Sequence, residues 1–355
     1  MASALGEELA VRGHEVHFIS YGRPFRLPED APRIHFHPVE VNAYDLFKYP
    51  DYTLPLSVKM AEVAAEFSLD VLHVHYAVPH ATAAILARSM LPADNHLKVV
   101  ATLHGTDTTL LGKDPGYGPA IRHALTQSDA VTAVSGFLRD ETVRLMGVTR
   151  PIEVIPNFFQ PKVPKRSREV VRAELGVAKE ECLILHLSNV RRVKRIDLLL
   201  AAAARVRPRG AFRLVILAGG DFSPYLNEVK RHGLEDRVVV RERVENVEAY
   251  LQAADLGLFT SESESFCLGV LEAMCFGVPS VSTAVGGVPE VIADGVTGRL
   301  APFGDVEALA AAVSGLVNDP GRRRVMGDAA RRRAGERFST EVVVSAYEDL
   351  YRRVR

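Results

Sequence analysis

Two glutamates eight residues apart, Glu264 and Glu272, lie in the stretch Glu262-Ser-Glu-Ser-Phe-Cys-Leu-Gly-Val-Leu-Glu272. Ser265 is a candidate N-cap and an apolar helix runs from Cys267 onward. Glu264 therefore falls in the loop before that helix and Glu272 on its second turn. A helix opened in this way presents unsatisfied backbone N–H groups and a positive dipole end, a natural seat for a diphosphate. Two carboxylates do nothing for the anion itself. They make sense when the anion carries hydroxyl-rich neutral groups, ribose on one side and a sugar on the other, as in a sugar nucleotide. Cations come from a second stretch, where Arg191, Arg192, Lys194 and Arg195 crowd the turn after Ser188. Alone they read as a phosphate clamp or a solvated turn; beside the glutamates the clamp is favoured.

The elements that must hold these groups are legible from end to end. Short β-branched runs alternate with amphipathic segments: Glu15–Ser20, Arg33–Val41, Val71–Tyr76, Lys98–His104, Ala130–Ser135 and Ile152–Pro156 in the first half. Cys182–Ser188, Arg213–Gly219, Arg237–Arg241, Leu256–Ser261 and Ser280–Ala284 follow in the second. Strand, helix, strand at this spacing predicts parallel sheets with helices on both faces. Such sheets bind ligands outside the carboxyl ends of their strands. Those ends read His75-Tyr76, His104-Gly105, Ser135, Asn157, Ser188-Asn189 and Ser261-Glu262, all polar or glycine. Two sheets with facing carboxyl edges would leave a polar cleft between domains. Residues 158 to 179, polar and basic, read as the crossing between the sheets. The domain expectation is 1–157, 158–335, and a C-terminal helix over 336–355 returning to the first domain.

The chain has 355 residues, 47% apolar and 25% charged, so disordered and fibrous classes are excluded. With 43 basic and 44 acidic side chains, bulk charge drives it toward neither nucleic acid nor an anionic membrane. The arginine triplets 322–324 and 331–333 sit among acids and read as a solvated helix face. The apolar stretch Ile196–Val206 is too short to span a bilayer, so no stable membrane insertion is expected. Three cysteines make neither a disulfide framework nor a zinc pattern. With no signal peptide before the first helix, the expected location is cytoplasmic.

Glu264-x7-Glu272 with Gly277-Val-Pro279, then Gly286-Gly-Val-Pro-Glu290 and Gly295-Val-Thr-Gly298, resemble the retaining GT-B glycosyltransferases with the Glu-x7-Glu signature, family 4. The resemblance implies two Rossmann-like doubly wound domains facing across a cleft. It implies that Glu272 holds the ribose, Glu264 the hydroxyls of the transferred sugar, and Lys194 with Arg191 the leaving diphosphate. Val244 matches the place where backbone groups read uracil, with Asn189, Phe266, Cys267 and Leu268 beside the nucleotide. In most relatives an arginine stands where Asn189 is. The strings His73 to His80, Ala101 to Thr108, Gln127 to Ser135 and Ile34 to Asn42 look more narrowly like the N-acetylglucosaminyl malate synthases of bacillithiol biosynthesis. That implies UDP-GlcNAc as donor and the hydroxyl of L-malate as acceptor. Malate is a dianion, for which Tyr76, Thr102, Arg122 and Asn157 are the candidates in the first half. Arg122 reads equally as a surface helix arginine. His104 is placed to support the sugar ring and the developing cation.

No Asp-x-Asp occurs, so no metal or other cofactor is expected. His73-x-His75 and His35-x-His37 each put a pair on one strand face, without an obvious third ligand. The pattern departs from the family twice. Family members open on a strand and a glycine-rich loop before the first helix, whereas Ala2 to Ala10 already matches that helix, so an N-terminal strand is expected to be missing. Cys267 stands where the family has glycine; it reads as a small-residue substitution, or as a low-pKa thiolate at a helix start. Three other readings stay open: a sister glycosyltransferase with another acceptor, a UDP-GlcNAc 2-epimerase, and a non-catalytic sugar-nucleotide binder. A homodimer is open as well.

Overall fold

In the computed structural model every described strand pairs parallel to its neighbours. The structure describes residues 1–24, 27, 31–41, 51–207 and 211–355; Asn42, the end of one family-like string, lies outside them. The chain folds as two units, Met1–Asn157 with Thr340–Arg355, and Phe158–Ser339.

The first unit runs α1 (Ala2–Val11), β1 (Val16–Ser20), β2 (Ile34–Pro38), α2 (Thr53–Phe67), β3 (Val71–His75), α3 (Thr82–Met90), β4 (Lys98–Leu103), α4 (Gly118–Gln127), β5 (Ala130–Ala133), α5 (Gly136–Met146) and β6 (Ile152–Val154). Strands β3, β4, β5 and β6 pair in that order, and β1 and β2 form a separate sheet. Helix α5 begins where Ser135 accepts the Leu138 N–H at 3.1 Å and ends at Gly147, whose φ of 60° suits glycine.

The second unit continues with α6 (Arg168–Glu174), β7 (Cys182–Ser188), α7 (Ile196–Arg205), β8 (Phe212–Ala218), α8 (Leu226–Arg231), β9 (Val238–Glu242), α9 (Val247–Ala253), β10 (Leu256–Phe259), α10 (Leu268–Cys275), β11 (Ser280–Thr283), α11 (Val288–Val291), β12 (Gly298–Ala301), α12 (Val306–Val317) and α13 (Pro320–Phe338). Its sheet has the order β12-β11-β10-β7-β8-β9. Alternation along β7 decides the two cores: Cys182 and Ile184 join one apolar cluster, Leu183 and Leu185 the other. Each face is then closed by helices, α7 and α12 on one side and α6 and α9 on the other.

The expected polar crossing contains α6, which is fastened to the second sheet. Arg168 and Arg172 both reach Asp255, at 2.5 and 2.8 Å, and Arg172 also donates to the Ala253 carbonyl. The arginines of α13 are only partly a solvated face. Arg323 donates to the Leu316 and Val317 carbonyls, Arg331 to Phe276, and Arg333 to Glu290 and Val291. These are the last carbonyls of three other helices, which have no partner inside their own helix. Helix α13 stays in the second unit through Phe338, whose ring meets Phe266 edge to face at 5.5 Å. The last helix, α14 (Thr340–Val354), belongs to the first unit: Arg12, the C-cap of α1, donates to Glu341, Ser345 and Glu348. Among the described residues no helix is long and apolar enough to cross a membrane.

Candidate functional site

In the second sheet the chain winds outward from β7 through β8 and β9, then crosses back to β10 and winds the other way. The order reverses between β7 and β10, the kind of switch point beyond whose strand ends open α/β sheets bind ligands. The two stretches singled out for chemistry leave the sheet at this point. After β7 come Asn189, Arg191 and a short helical turn, Arg192–Lys194; after β10 come Thr260, Ser261 and Glu264. The loops are tied together, since the Glu262 N–H donates to the Val193 carbonyl at 2.8 Å. The Thr260 hydroxyl lies 3.2 and 3.0 Å from the carbonyls of Lys194 and Arg195.

Lys194 and Glu264 meet directly, Nζ to Oε1 at 2.6 Å, with only 23% and 11% of their side chains exposed. The Ser261 hydroxyl donates to the same oxygen at 2.6 Å. Arg195 does not join this group, because Asp197 and Glu262 hold it. Arg191 and Arg192 are exposed and, among the described residues, have no ion-pair partner. Asn189 is exposed beside Gly219, and its amide oxygen fills the space that a Cβ there would need. Val244 is half-buried against the core, one residue beyond Arg243, whose φ is 51°. Phe266 is buried, Leu268 opens α10, and Glu272 is half-buried on the second turn.

Helix α10 starts one residue later than the sequence suggests, and its N-cap is Cys267 rather than Ser265. Cys267 has φ 73° and ψ 77°, a left-handed backbone that cannot be helical and that glycine adopts more cheaply. No side chain caps the helix, so its first N–H groups remain available. At Gly269 a Cβ would come within 2.8 Å of the Phe259 ring and 3.2 Å of the Leu187 carbonyl, so only glycine lets α10 settle on β7 and β10. The thiolate reading of Cys267 is overturned. Burial first, then the Glu264 carboxylate, push its thiol well up.

The first unit carries neutral rings at its strand ends. His75 Nδ1 and His104 Nε2 are 2.8 Å apart, and the Tyr76 ring lies 4.9 Å from His104. Burial, then the N-terminal amine, lower His104 to about 4, so it is uncharged at neutral pH. Tyr76 is 40% exposed, with φ 78°. Thr102 is fully buried, its hydroxyl within reach of His73 Nε2 at 2.7 Å and Thr132 Oγ1 at 2.7 Å. It therefore presents no surface to an acceptor. Arg122 is exposed, and its Nε donates to the Met146 carbonyl at the end of α5, a helix-capping role. Asn157 is buried at the end of the unit. The histidine pairs do acquire third rings: His17 stacks on His35 at 4.6 Å and His104 on His75 at 5.1 Å. Stacked rings do not converge on a point, and among the described residues no group of three or more His, Cys, Asp or Glu is arranged to hold a metal ion.

Residue types alone did not mark three participants. Asp107 is buried, and its carboxylate accepts the Ala77 N–H at 2.8 Å and the Gly105 N–H at 3.0 Å, joining the loops that carry Tyr76 and His104. Its signal was an aspartate two residues after a strand-end glycine, the pattern of a side chain that bonds its own turn. Tyr351 reaches His73 Nδ1 at 2.6 Å across 278 residues of sequence. Ser261 had only its place at a strand end.

The family described as "Glycosyltransferase Family 4" matches residues 1–162, and "Glycosyl transferases group 1" matches residues 167–333. The chain is 44% identical over 353 residues to the N-acetyl-alpha-D-glucosaminyl L-malate synthase of Bacillus anthracis, covering 99% of this chain and 92% of that protein. It is 32% identical over 255 residues to the alpha-maltose-1-phosphate synthase of Mycolicibacterium smegmatis, covering 66% of this chain and 65% of the relative. A glycosyltransferase from Rickettsia africae superposes with a TM-score of 0.83 at 18% identity, over 99% of this chain and 93% of that one. HepE of Anabaena, solved with UDP and glucose, gives 0.73 at 22% identity, over 90% and 86%. These last two likenesses carry the fold.

Proposed function

Since the chain belongs to the family 4 glycosyltransferases with the GT-B fold, we propose that it moves GlcNAc from UDP-GlcNAc to the hydroxyl of L-malate with retention at the anomeric carbon, the first step of bacillithiol biosynthesis. The observation that carries this reading within the molecule is the Lys194 and Glu264 pair at the switch point of the second sheet, beside the uncapped start of α10. Likeness to the Bacillus anthracis enzyme over nearly the whole chain supports the choice of donor and acceptor.

In this reading Lys194 and Arg191 neutralise the pyrophosphate, the first N–H groups of α10 hold its oxygens, and Glu272 takes the ribose hydroxyls. Val244 lies by the uracil. The bond from C1 of the sugar to the phosphate oxygen breaks while the malate oxygen bonds C1 on the same face. The malate proton passes to the departing phosphate, so no protein nucleophile takes part. The protein contributes position and fixed charge. A neutral His104 suits a neighbour of the developing oxocarbenium ion, which an imidazolium would repel. Tyr76, Asn157 and the remaining guanidinium N–H groups of Arg122 are the acceptor candidates. The cations do the work that a divalent ion does elsewhere, so the reaction is proposed to be metal-independent, in the cytoplasm.

Incubation with UDP-GlcNAc, with and without L-malate, tests the reading. Malate-dependent UDP release, undiminished by EDTA, with an α-linked product by NMR, is the expected outcome. Acceptor-free isomerisation of the sugar would indicate an epimerase instead, and tight UDP binding without turnover a binding protein.

A further inference from the structure

The Glu264 side chain spends both of its observed hydrogen bonds on one oxygen. Oε1 receives Lys194 Nζ and Ser261 Oγ, each at 2.6 Å, and among the described residues no donor reaches Oε2. The two donors differ in what else they can do. Lys194 is partly exposed, and its charge is also wanted by a pyrophosphate. Ser261 is 3% exposed and cannot reach a ligand. Its single O–H is committed to Glu264, and its backbone carbonyl is held by the Thr283 hydroxyl at 2.6 Å. The Glu264 carbonyl in turn accepts the Gly287 N–H at 2.9 Å.

Resting on the function proposed above, we infer that Ser261 is a positioning residue for sugar transfer: it keeps Oε1 of Glu264 in place when Lys194 turns to the diphosphate, leaving Oε2 aimed at the hydroxyls of the hexose. The two partners of Glu264 then act in sequence. Without nucleotide, Lys194 and Glu264 neutralise each other where both side chains are largely withdrawn from solvent, and an unpaired charge there is costly. When a pyrophosphate takes Lys194, the carboxylate loses its countercharge, and the serine hydroxyl alone opposes its rotation. A carboxylate free to rotate would follow the ammonium group, competing with the phosphate and abandoning the sugar.

Ser261→Ala isolates this contact, because the Thr283 bond to the backbone carbonyl remains. The expected result is a kcat for UDP-GlcNAc and L-malate lower by about ten- to a hundredfold, the range for losing a hydrogen bond to a charged group. Affinity for UDP, which has no hexose, should stay within about threefold. Ser261→Thr retains the hydroxyl and should recover most of the lost kcat. Wild-type kcat in Ser261→Ala would overturn the inference, and so would a parallel loss of UDP affinity and turnover, the mark of a collapsed loop. Wild-type protein that does not release UDP from UDP-GlcNAc in the presence of malate would instead overturn the function on which the inference rests.

Discussion

At the switch point of the second unit the polar groups are full charges, Lys194 on Glu264 at 2.6 Å. At the strand ends of the first unit they are uncharged rings, His75 on His104 at 2.8 Å. Both sets sit beyond the carboxyl ends of parallel strands, so the fold does not decide the difference. Burial does. Lys194 and Glu264 are each partly exposed and meet as a pair of opposite signs. The rings of the first unit are buried beside one another, and like charges there would repel. Burial, then His104, lower His73 to about 3, and His75 falls well below the usual imidazole range for the same reasons. One unit thus carries paired full charges at its strand ends, the other uncharged rings.

The largest effect expected from this contrast lies on the charged side. Glu264→Gln should lower kcat about a hundredfold or more, since the amide gives up the carboxylate proposed to hold the sugar hydroxyls. Steady-state kinetics check this. Lys194→Ala should lower kcat by about a hundredfold, with a smaller loss of UDP affinity, because charge on the diphosphate grows as the bond to C1 breaks. An equal loss in both quantities would place its role in ground-state binding and blur the contrast.

Acid should strike the other unit harder. His73 and His104 bind their protons at about 3 and 4 when folded, against about 6.5 when unfolded. Between those values the unfolded chain takes up more protons, so the stabilisation present at neutral pH is lost as pH falls from about 6.5 toward 4. His104 alone would cost on the order of 2 kcal/mol at pH 5. His186, lowered to about 4, is the corresponding histidine of the second unit. Hydrogen exchange at pH 7 and pH 5 should show β3 and β4 losing protection before β7 and β8. Equal loss in both sheets would break the comparison.

The smallest effect concerns Cys267. Its left-handed backbone should make Cys267→Gly more stable than Cys267→Ala by about 1 kcal/mol in denaturant unfolding. No difference would mean that the turn carries no strain.

Much of the fold was readable because burial on both faces writes itself into composition: the runs of β7 and β8 are apolar apart from His186, Ser188 and Arg213, as strands of a parallel sheet covered on both faces are. Glu264 and Lys194 were readable because an eight-residue spacing and a crowd of cations are local facts. The start of α10 was misread by a residue or two because a serine looks like a cap, whereas the backbone turns at Cys267. The arginines of α13 were read as a solvated face because nothing nearby in sequence shows that the carbonyl ends of three helices lie beside them.

Local sequence thus determined which segments become strands, which helices follow them, and which side chains arrive at the strand ends. Tertiary structure decided the rest: which of four cations faces Glu264, that Ser261 shares the oxygen Lys194 holds, that Asp107 ties two loops, and that Tyr351 closes on His73. The physical reason is that the first set depends on periodicity and propensity within a few residues. The second depends on distance and burial between groups that only the crossing of strands brings together.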